Sequence, residues 1–527
     1  MPSSASVTDH YDLIVIGSGP GGASLAWRLA GTGKRILLLE RGGYLPRSVD
    51  NWDPQRVFGD LIYQTSEQWQ DKDGESFSPE LHNYVGGNSK VYGAALFRLR
   101  ERDFGEIAHG GGISPAWPLG YSDYAPYYDE AERLFQVHGQ RGEDPCEPPA
   151  DTPYPYPPVR HEGQIDRLNQ ALTQQGLKPY HIPLGIRLDE DAQGATPTSP
   201  CIRCSRFDGF PCPTNGKADA QVICVDPLLA QHPDTVSLLT GANVTRLETG
   251  ADGRRIERVR VTRNGEEEVY GADIVVVAGG ALSSALLLLR SADDRHPNGL
   301  ANTSGLVGRN YMRHNLSALM CVLEERDESV FQKTMALSDY YFSAPDWGYP
   351  LGLVQLMARA YGAQIRAQAL PSFLTFLPDW PFERLAAHAL DFWMQSEDLP
   401  DPDNRIYYDG ERVVLALTPN NLDAHERLIE RWKQDLSNAG ALTRLPGGGH
   451  LYFTQRIGID GTAHQVGTCR FGTDPAASVL DTDCRAHDLD NLYVTDGSFF
   501  PSIGAVNPTL TIVANALRVA DRIRERL

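Results

Sequence analysis

The chain has 527 residues, 41% hydrophobic and 22% charged, which excludes a disordered, collagen-like or coiled-coil chain and is too long for one compact core, so two or three interlocked domains are expected. Asp and Glu outnumber Lys and Arg by 68 to 48, a formal charge of −20, so nucleic acid and anionic membrane surfaces are repelled and a small neutral or cationic partner is expected. No stretch approaches the roughly 20 apolar residues of a membrane span, and Met1 to Asp12 carries no Lys or Arg, so no secretory signal and a cytoplasmic location are expected.

In chain order, Tyr11 to Ile16 reads as an apolar strand, Gly17 to Gly22 as a glycine turn, Ala23 to Leu29 as a helix start and Arg35 to Leu39 as a second strand. This βαβ unit contains Gly17-Ser18-Gly19-Pro20-Gly21-Gly22, a G-x-G-x-x-G pattern, and Glu40 closes the second strand 23 residues after Gly17. Glycines there let backbone approach a pyrophosphate at a helix N-terminus, and the carboxylate accepts from ribose hydroxyls. Gly17, Gly19, Gly22 and Glu40 are therefore candidate dinucleotide contacts, although the spacing alone does not separate NAD from FAD.

Residues 105–200 are rich in Pro, Gly and Tyr, with six prolines between Pro148 and Pro158, and suit a surface-covering insertion or lid. Cys201, Cys204, Cys212 and Cys224 then cluster; thiolates favour zinc or iron–sulfur clusters, but the spacing is not that of a zinc ribbon and no metal is expected. Residues 236–247 and 255–277 read as strands, and Ile274 to Val277 has the continuous apolar character of a buried parallel strand. The block 315–455, with aromatic stretches around Tyr340, Trp347, Trp380, Phe392 and Trp393, is expected to form a substrate domain. Leu510, Val513, Leu517 and Ala520 predict a closing amphipathic helix.

Two further segments carry chemistry. His464 begins His464-Gln465-Val466-Gly467-Thr468, and Asn507 precedes Pro508-Thr509. An imidazole near neutral pKa is a suitable general base, and an amide can hydrogen-bond without competing for a proton. Pro508 suits a first helical position and Asn507 an N-cap, so a helix is expected to start there.

Segments 17–22, 84–98, 274–291, 464–472 and 493–513, in that order, resemble the glucose-methanol-choline family of FAD oxidoreductases. The resemblance implies an α/β fold in which a Rossmann-like FAD-binding domain (1–104, 201–314 and 456–527) interleaves with an α+β substrate domain and lid built on an antiparallel sheet (105–200 and 315–455). It implies FAD as cofactor, with Gly87, Asn88, Ser89 and Tyr92 in a loop against the flavin ring, Val244 near the adenine and Ala278 beside the nucleotide. It also implies Asp496 near the phosphates and ribityl chain, Pro508 and Thr509 at the flavin, and His464 with Asn507 as the catalytic pair. Val91 stands where members with a covalent flavin carry His, so a non-covalent FAD is expected, and Ser284-Ala285 departs from the family's Ser-Pro. His314 is assigned a structural role.

Within the family the chain is most similar to the pyranose oxidase and glycoside oxidase branch, implying oxidation of a secondary sugar hydroxyl with Gln355 and Gln395 facing the substrate. A hydroxyl on an aminoglycoside or other natural product is the alternative, as is a family relative that no longer oxidises. Oxygen or a quinone-like molecule is the expected electron acceptor.

Overall fold

The computed structural model describes residues 7–191, 194–370, 372–374, 376–440 and 450–527. The part of the Met1 to Asp12 reading that falls on residues 1–6 lies outside the described residues.

Strand β1 (Asp9–Ile16) is central to a mostly parallel sheet, and its Leu13 to Ile16 half is buried on both faces, as expected of an all-apolar parallel strand. β2 (Ile36–Leu39) pairs parallel with β1, the strand Val236–Leu239 pairs parallel with β2, and the long strand Glu266–Val277 flanks β1 on its other side. The strand Leu492–Val494 joins Val275 to Val277 in parallel, so the chain's end returns to the sheet its beginning started. Two antiparallel strands, Ile256–Arg263 and Asn243–Thr249, extend the other half of Glu266–Val277.

Helix α1 spans Pro20–Leu29, beginning earlier than the expected Ala23, with Pro20 in its first turn and Gly19 as an extended N-cap. The reason is steric: a Cβ on Gly21 would lie 2.2 Å from the Thr495 carbonyl oxygen and one on Gly22 2.2 Å from that of Gly17. These glycines let the first helical turn pack directly on the strand ends rather than forming a free turn before it.

The second sheet is antiparallel throughout, in the order Tyr452–Arg456, Asn315–Val322, Ala389–Ser396, Leu353–Leu356, Met335–Leu337, Tyr180–His181. Its two faces follow the period of two. Leu319, Cys321, Val354, Leu356, Phe392 and Met394 pack on Leu428, Trp432 and Leu436 of the helix Leu422–Ala439. The alternate residues Leu316, Gln355, Trp393 and Gln395 point the other way, into the main cavity. A smaller sheet joins Trp69–Asp71 and Ser76–Phe77 to Arg405–Asp409 and Arg412–Ala416, tying distant segments together.

Two expectations are corrected. The stretch 105–200 is not only cover: α2 (Tyr121–Leu134) buries Tyr121, Tyr124 and Tyr128 in the main core, and the Tyr124 hydroxyl bonds Asn515 while that of Tyr128 meets Thr511. The closing helix (Thr509–Arg524) is buried nearly all round instead of being amphipathic, because α1 covers one side and α2 another. Among the described residues no helix is long and apolar enough to cross a membrane.

Candidate active site

One cavity of about 500 Å³ runs between the parallel sheet and the cavity-facing side of the antiparallel sheet. Gly17 ends β1 at φ +103°, and a Cβ there would lie 2.4 Å from the Ala278 oxygen, so both conformation and space require glycine. Glu40, 6% exposed at the end of β2, accepts from the Ser18 backbone (3.1 Å), the Ser18 hydroxyl (2.7 Å) and the Gly42 backbone (2.9 Å). Its carboxylate is thereby held at the cavity wall. Gly19, Val244 and Ala278 line this same end. Gly22 does not; it permits close packing of α1 on β1.

The loop after residue 84 brings Gly87 (φ +56°) against Gly19, where a Cβ would sit 3.2 Å from the Gly19 Cα. Its polar side chains brace the loop: Ser89 donates to the Gly86 carbonyl (2.6 Å) and accepts from Ala220 (3.0 Å), Asn88 accepts from His82 (3.0 Å), and Tyr92 donates to the Ala218 carbonyl (2.6 Å). All of them, with Val91, line the cavity. Buried Asp496 accepts from Gly280 (2.9 Å), Ser498 (2.9 Å) and the Ser284 hydroxyl, and burial raises its pKa above the usual carboxylate value. Ser284, at the departure from the family's Ser-Pro, also accepts from Gly279 (3.0 Å) and locks the strand-to-helix corner.

A bare glycine cradle at one end, a strand-end carboxylate beside it and a long cavity leading to an imidazole fit a flavin dinucleotide.

At the far end stand His464 and Asn507, 43 residues apart in sequence. Asn507 Nδ2 lies 3.3 Å from His464 Nε2, and Gln355 Nε2 donates to Asn507 Oδ1 (2.9 Å). Asn507 is not an N-cap: the helix starts at Thr509 with Pro508 in the cap position and no side-chain cap bond, because the Asn507 amide is engaged by His464 and Gln355. Pro508 and Thr509 still line the cavity.

Burial first and the Lys333 cation second push the His464 pKa down to about 4, so the ring is a neutral base across the neutral range. His314, assigned a structural role from sequence, instead meets His464 directly, Nδ1 to Nδ1 at 2.9 Å.

Gln395 Nε2 donates to the Ala505 carbonyl (3.0 Å), yet the Oε1 atoms of both Gln355 and Gln395 are buried without a partner. Both residues line the cavity, and buried amide oxygens seldom stay unsatisfied. Sequence reasoning missed Lys333 and Asp208. Lys333 donates to Asp208 (3.0 Å), both line the cavity, and Asp208 Oδ1 is buried without a partner. A single lysine in Phe331-Gln332-Lys333-Thr334 reads as a surface residue, and no local signal marks it.

The four clustered cysteines are free thiols, and Cys224 sits apart against Ser24 of α1 (3.8 Å). Among the described residues no group of three or more His, Cys, Asp or Glu converges as a metal site.

Comparison with known proteins agrees with this geometry. The two GMC oxidoreductase family models match residues 38–316 and 403–516, and an NAD(P)-binding Rossmann-like model matches 15–57. The chain is 31% identical over 544 residues to 6'''-hydroxyparomomycin C oxidase of Streptomyces lividus, covering 98% of this chain and 92% of that protein. It is also 31% identical over 542 residues to paromamine 6'-oxidase of Streptomyces fradiae, covering 97% and 91%. The crystal structure of pyridoxine 4-oxidase from "Mesorbium loti" shares the fold, with a TM-score of 0.66, 19% identity and coverage of 98% and 99%. A dinucleotide cradle facing a histidine–asparagine pair, with family models matched over most of its length, makes this chain a member of the GMC oxidoreductase family, an enzyme acting on CH–OH groups.

Proposed function

We propose that the protein oxidises a secondary hydroxyl of a pyranose sugar or glycoside to a carbonyl, using non-covalent FAD held by residues 1–104, 201–314 and 456–527. Residues 105–200 and 315–455 supply the substrate side, and the enzyme works in the cytoplasm. The observation that carries the reading is His464 Nε2 beside the Asn507 amide, in the same cavity as the glycine cradle.

FAD, when bound, supplies the acceptor for the carbinol hydride, and reoxidation by oxygen or a quinone-like molecule completes turnover. His464 takes the hydroxyl proton on Nε2. Asn507 Nδ2 has a second N–H for the oxygen on which charge develops, and Gln355 fixes which end of that amide faces His464. The Lys333 cation favours negative charge in the cavity. Gln355, Gln395 and Trp393 line the cavity, and amide groups with an aromatic ring suit a hydroxyl-rich substrate. Val91 has no nucleophile for a flavin bond.

A second reading, a hydroxyl on an aminoglycoside or related natural product, is favoured by the two aminoglycoside-named relatives. Anaerobic mixing of the holoenzyme with pyranoses, glycosides, aminoglycosides and simple alcohols tests both. Sugars are expected to bleach the flavin absorbance. Bleaching by aminoglycosides alone selects the second reading, and bleaching by no alcohol ends both. Acid precipitation is expected to leave the flavin in the supernatant; a coloured pellet contradicts the non-covalent assignment.

A further inference from the structure

An imidazole removes a proton only with the nitrogen that carries a lone pair, so the chemistry at His464 depends on which ring nitrogen is protonated. The backbone sets up a specific answer. Met312 and Val466 exchange both backbone hydrogen bonds (3.0 Å each) as an isolated antiparallel bridge. In that register the residues two beyond Met312 and two before Val466 stand opposite one another, which brings His314 and His464 ring to ring, 5.0 Å between centroids and nearly perpendicular at 88°.

His314 is fully buried, and its Nε2 lies 3.1 Å from the Gly504 carbonyl oxygen. A carbonyl only accepts, so Nε2 carries the proton. Burial and the neighbouring His464 hold the His314 pKa well below the usual imidazole value, so this ring has one proton and its Nδ1 is bare. The His464 Nδ1 at 2.9 Å must then be the donor, since otherwise two lone pairs would face each other at hydrogen-bonding distance.

The Gly504 carbonyl is itself fixed. Its peptide nitrogen donates to Glu397 (3.0 Å), and the next, that of Ala505, donates to the Tyr341 hydroxyl (2.9 Å). Gly504 adopts φ +63°, and a Cβ there would come within 2.8 Å of Leu99. The loop that carries Asn507 therefore also orients His314.

We infer that His314 is a positioning residue that holds His464 in the tautomer protonated on Nδ1, so that the Nε2 lone pair faces Asn507 and the substrate hydroxyl. This rests on the alcohol-oxidation reading of the same site. In the step it supports, the hydroxyl O–H breaks and Nε2–H forms while the carbinol hydrogen leaves with its electron pair. The imidazolium keeps its Nδ1–H on His314, and that bond strengthens as the ring becomes charged.

The test compares His314→Asn, His314→Gln and His314→Phe in the full-length holoenzyme. An asparagine oxygen can replace Nδ1 as acceptor; glutamine reaches only the Nε2 position, and phenylalanine replaces neither. Flavin bleaching is expected to slow by about 10²–10⁴-fold in the Gln and Phe variants and by less than about tenfold in Asn. Independently, ¹⁵N-histidine NMR is expected to find the His464 proton on Nδ1 in the native and Asn forms and redistributed toward Nε2 in Phe. A native His464 protonated on Nε2, or a Phe variant bleached at the native rate, overturns the proposal. If no alcohol bleaches even the native flavin, the oxidation reading fails, while the NMR result still decides the tautomer.

Discussion

A buried histidine that must stay neutral, an amide with one oxygen already satisfied and two glutamines with unspent acceptors are costly groups to place in a protein interior. Their convergence on one cavity is the residue-scale argument for catalysis. His464→Ala is expected to load FAD like the parent, since the glycine cradle and Glu40 are untouched, and to slow anaerobic flavin reduction by about 10²–10⁴-fold. Flavin content and stopped-flow bleaching measure the two effects separately, and unchanged bleaching would remove His464 from the mechanism. At this scale the placement of Glu40 was legible from its strand-end position in the dinucleotide motif, and that of His464 and Asn507 in one cavity from the resemblance of their segments to the family's. Lys333, Asp208 and the role of His314 were not, because each depends on a partner more than a hundred residues away.

At the scale of elements, the junction of β1, α1 and the strand Leu492–Val494 is held by close backbone approach. Gly21→Ala places a methyl 2.2 Å from the Thr495 oxygen, in backbone that cannot swing aside as a side chain would. It is expected to destabilise by about 1–3 kcal/mol and to lower FAD retention. Gly31→Ala, with nothing within 4 Å of the new Cβ, is the control and should leave both unchanged. Equal melting temperatures and flavin content for the two variants would contradict the packing argument. The βαβ unit was readable from apolar runs and glycines. The burial of α2 was obscured by the proline-rich composition around it, although Tyr121, Tyr124 and Tyr128 already stand at helical spacing. Likewise the strand Ala389–Ser396 shows its alternation only once Trp393 and Gln395 are seen to share a face with Gln355.

For the whole molecule, buried titratable groups set the response to pH. Burial raises Asp103 and Asp391 to about 7 and Asp398 to about 8. An unfolded carboxyl ionises near about 3.9, so between that pH and about 8 the unfolded chain loses protons the folded one keeps, and stability falls as pH rises. His464, lowered to about 4, and His161 and His425, lowered to about 3, act in the opposite sense. Below about 6.5 the unfolded chain gains protons these rings refuse, so they contribute stability that is lost as the medium is acidified. The two trends offset one another at mildly acidic pH, the carboxyl trend dominates between about 6.5 and 8, and above about 8 Lys217, lowered to about 8 by burial, opposes it. Melting temperature is expected to decline between about pH 6.5 and 8, and Asp398→Asn, which cannot ionise, should shrink that decline. An identical decline in the variant would show that Asp398 does not drive it.

The sequence by itself determined the dinucleotide turn and its buried parallel strands, because apolar runs and glycine geometry act locally, while only its resemblance to the family pointed to His464 and Asn507. Only the tertiary structure decided which partner each His464 nitrogen meets, which way Asn507 points and which face of the antiparallel sheet lines the cavity. Those outcomes depend on bonds from His314 to the Gly504 carbonyl and from Gln355 to Asn507, contacts across 190 and 152 residues of chain that no local pattern encodes.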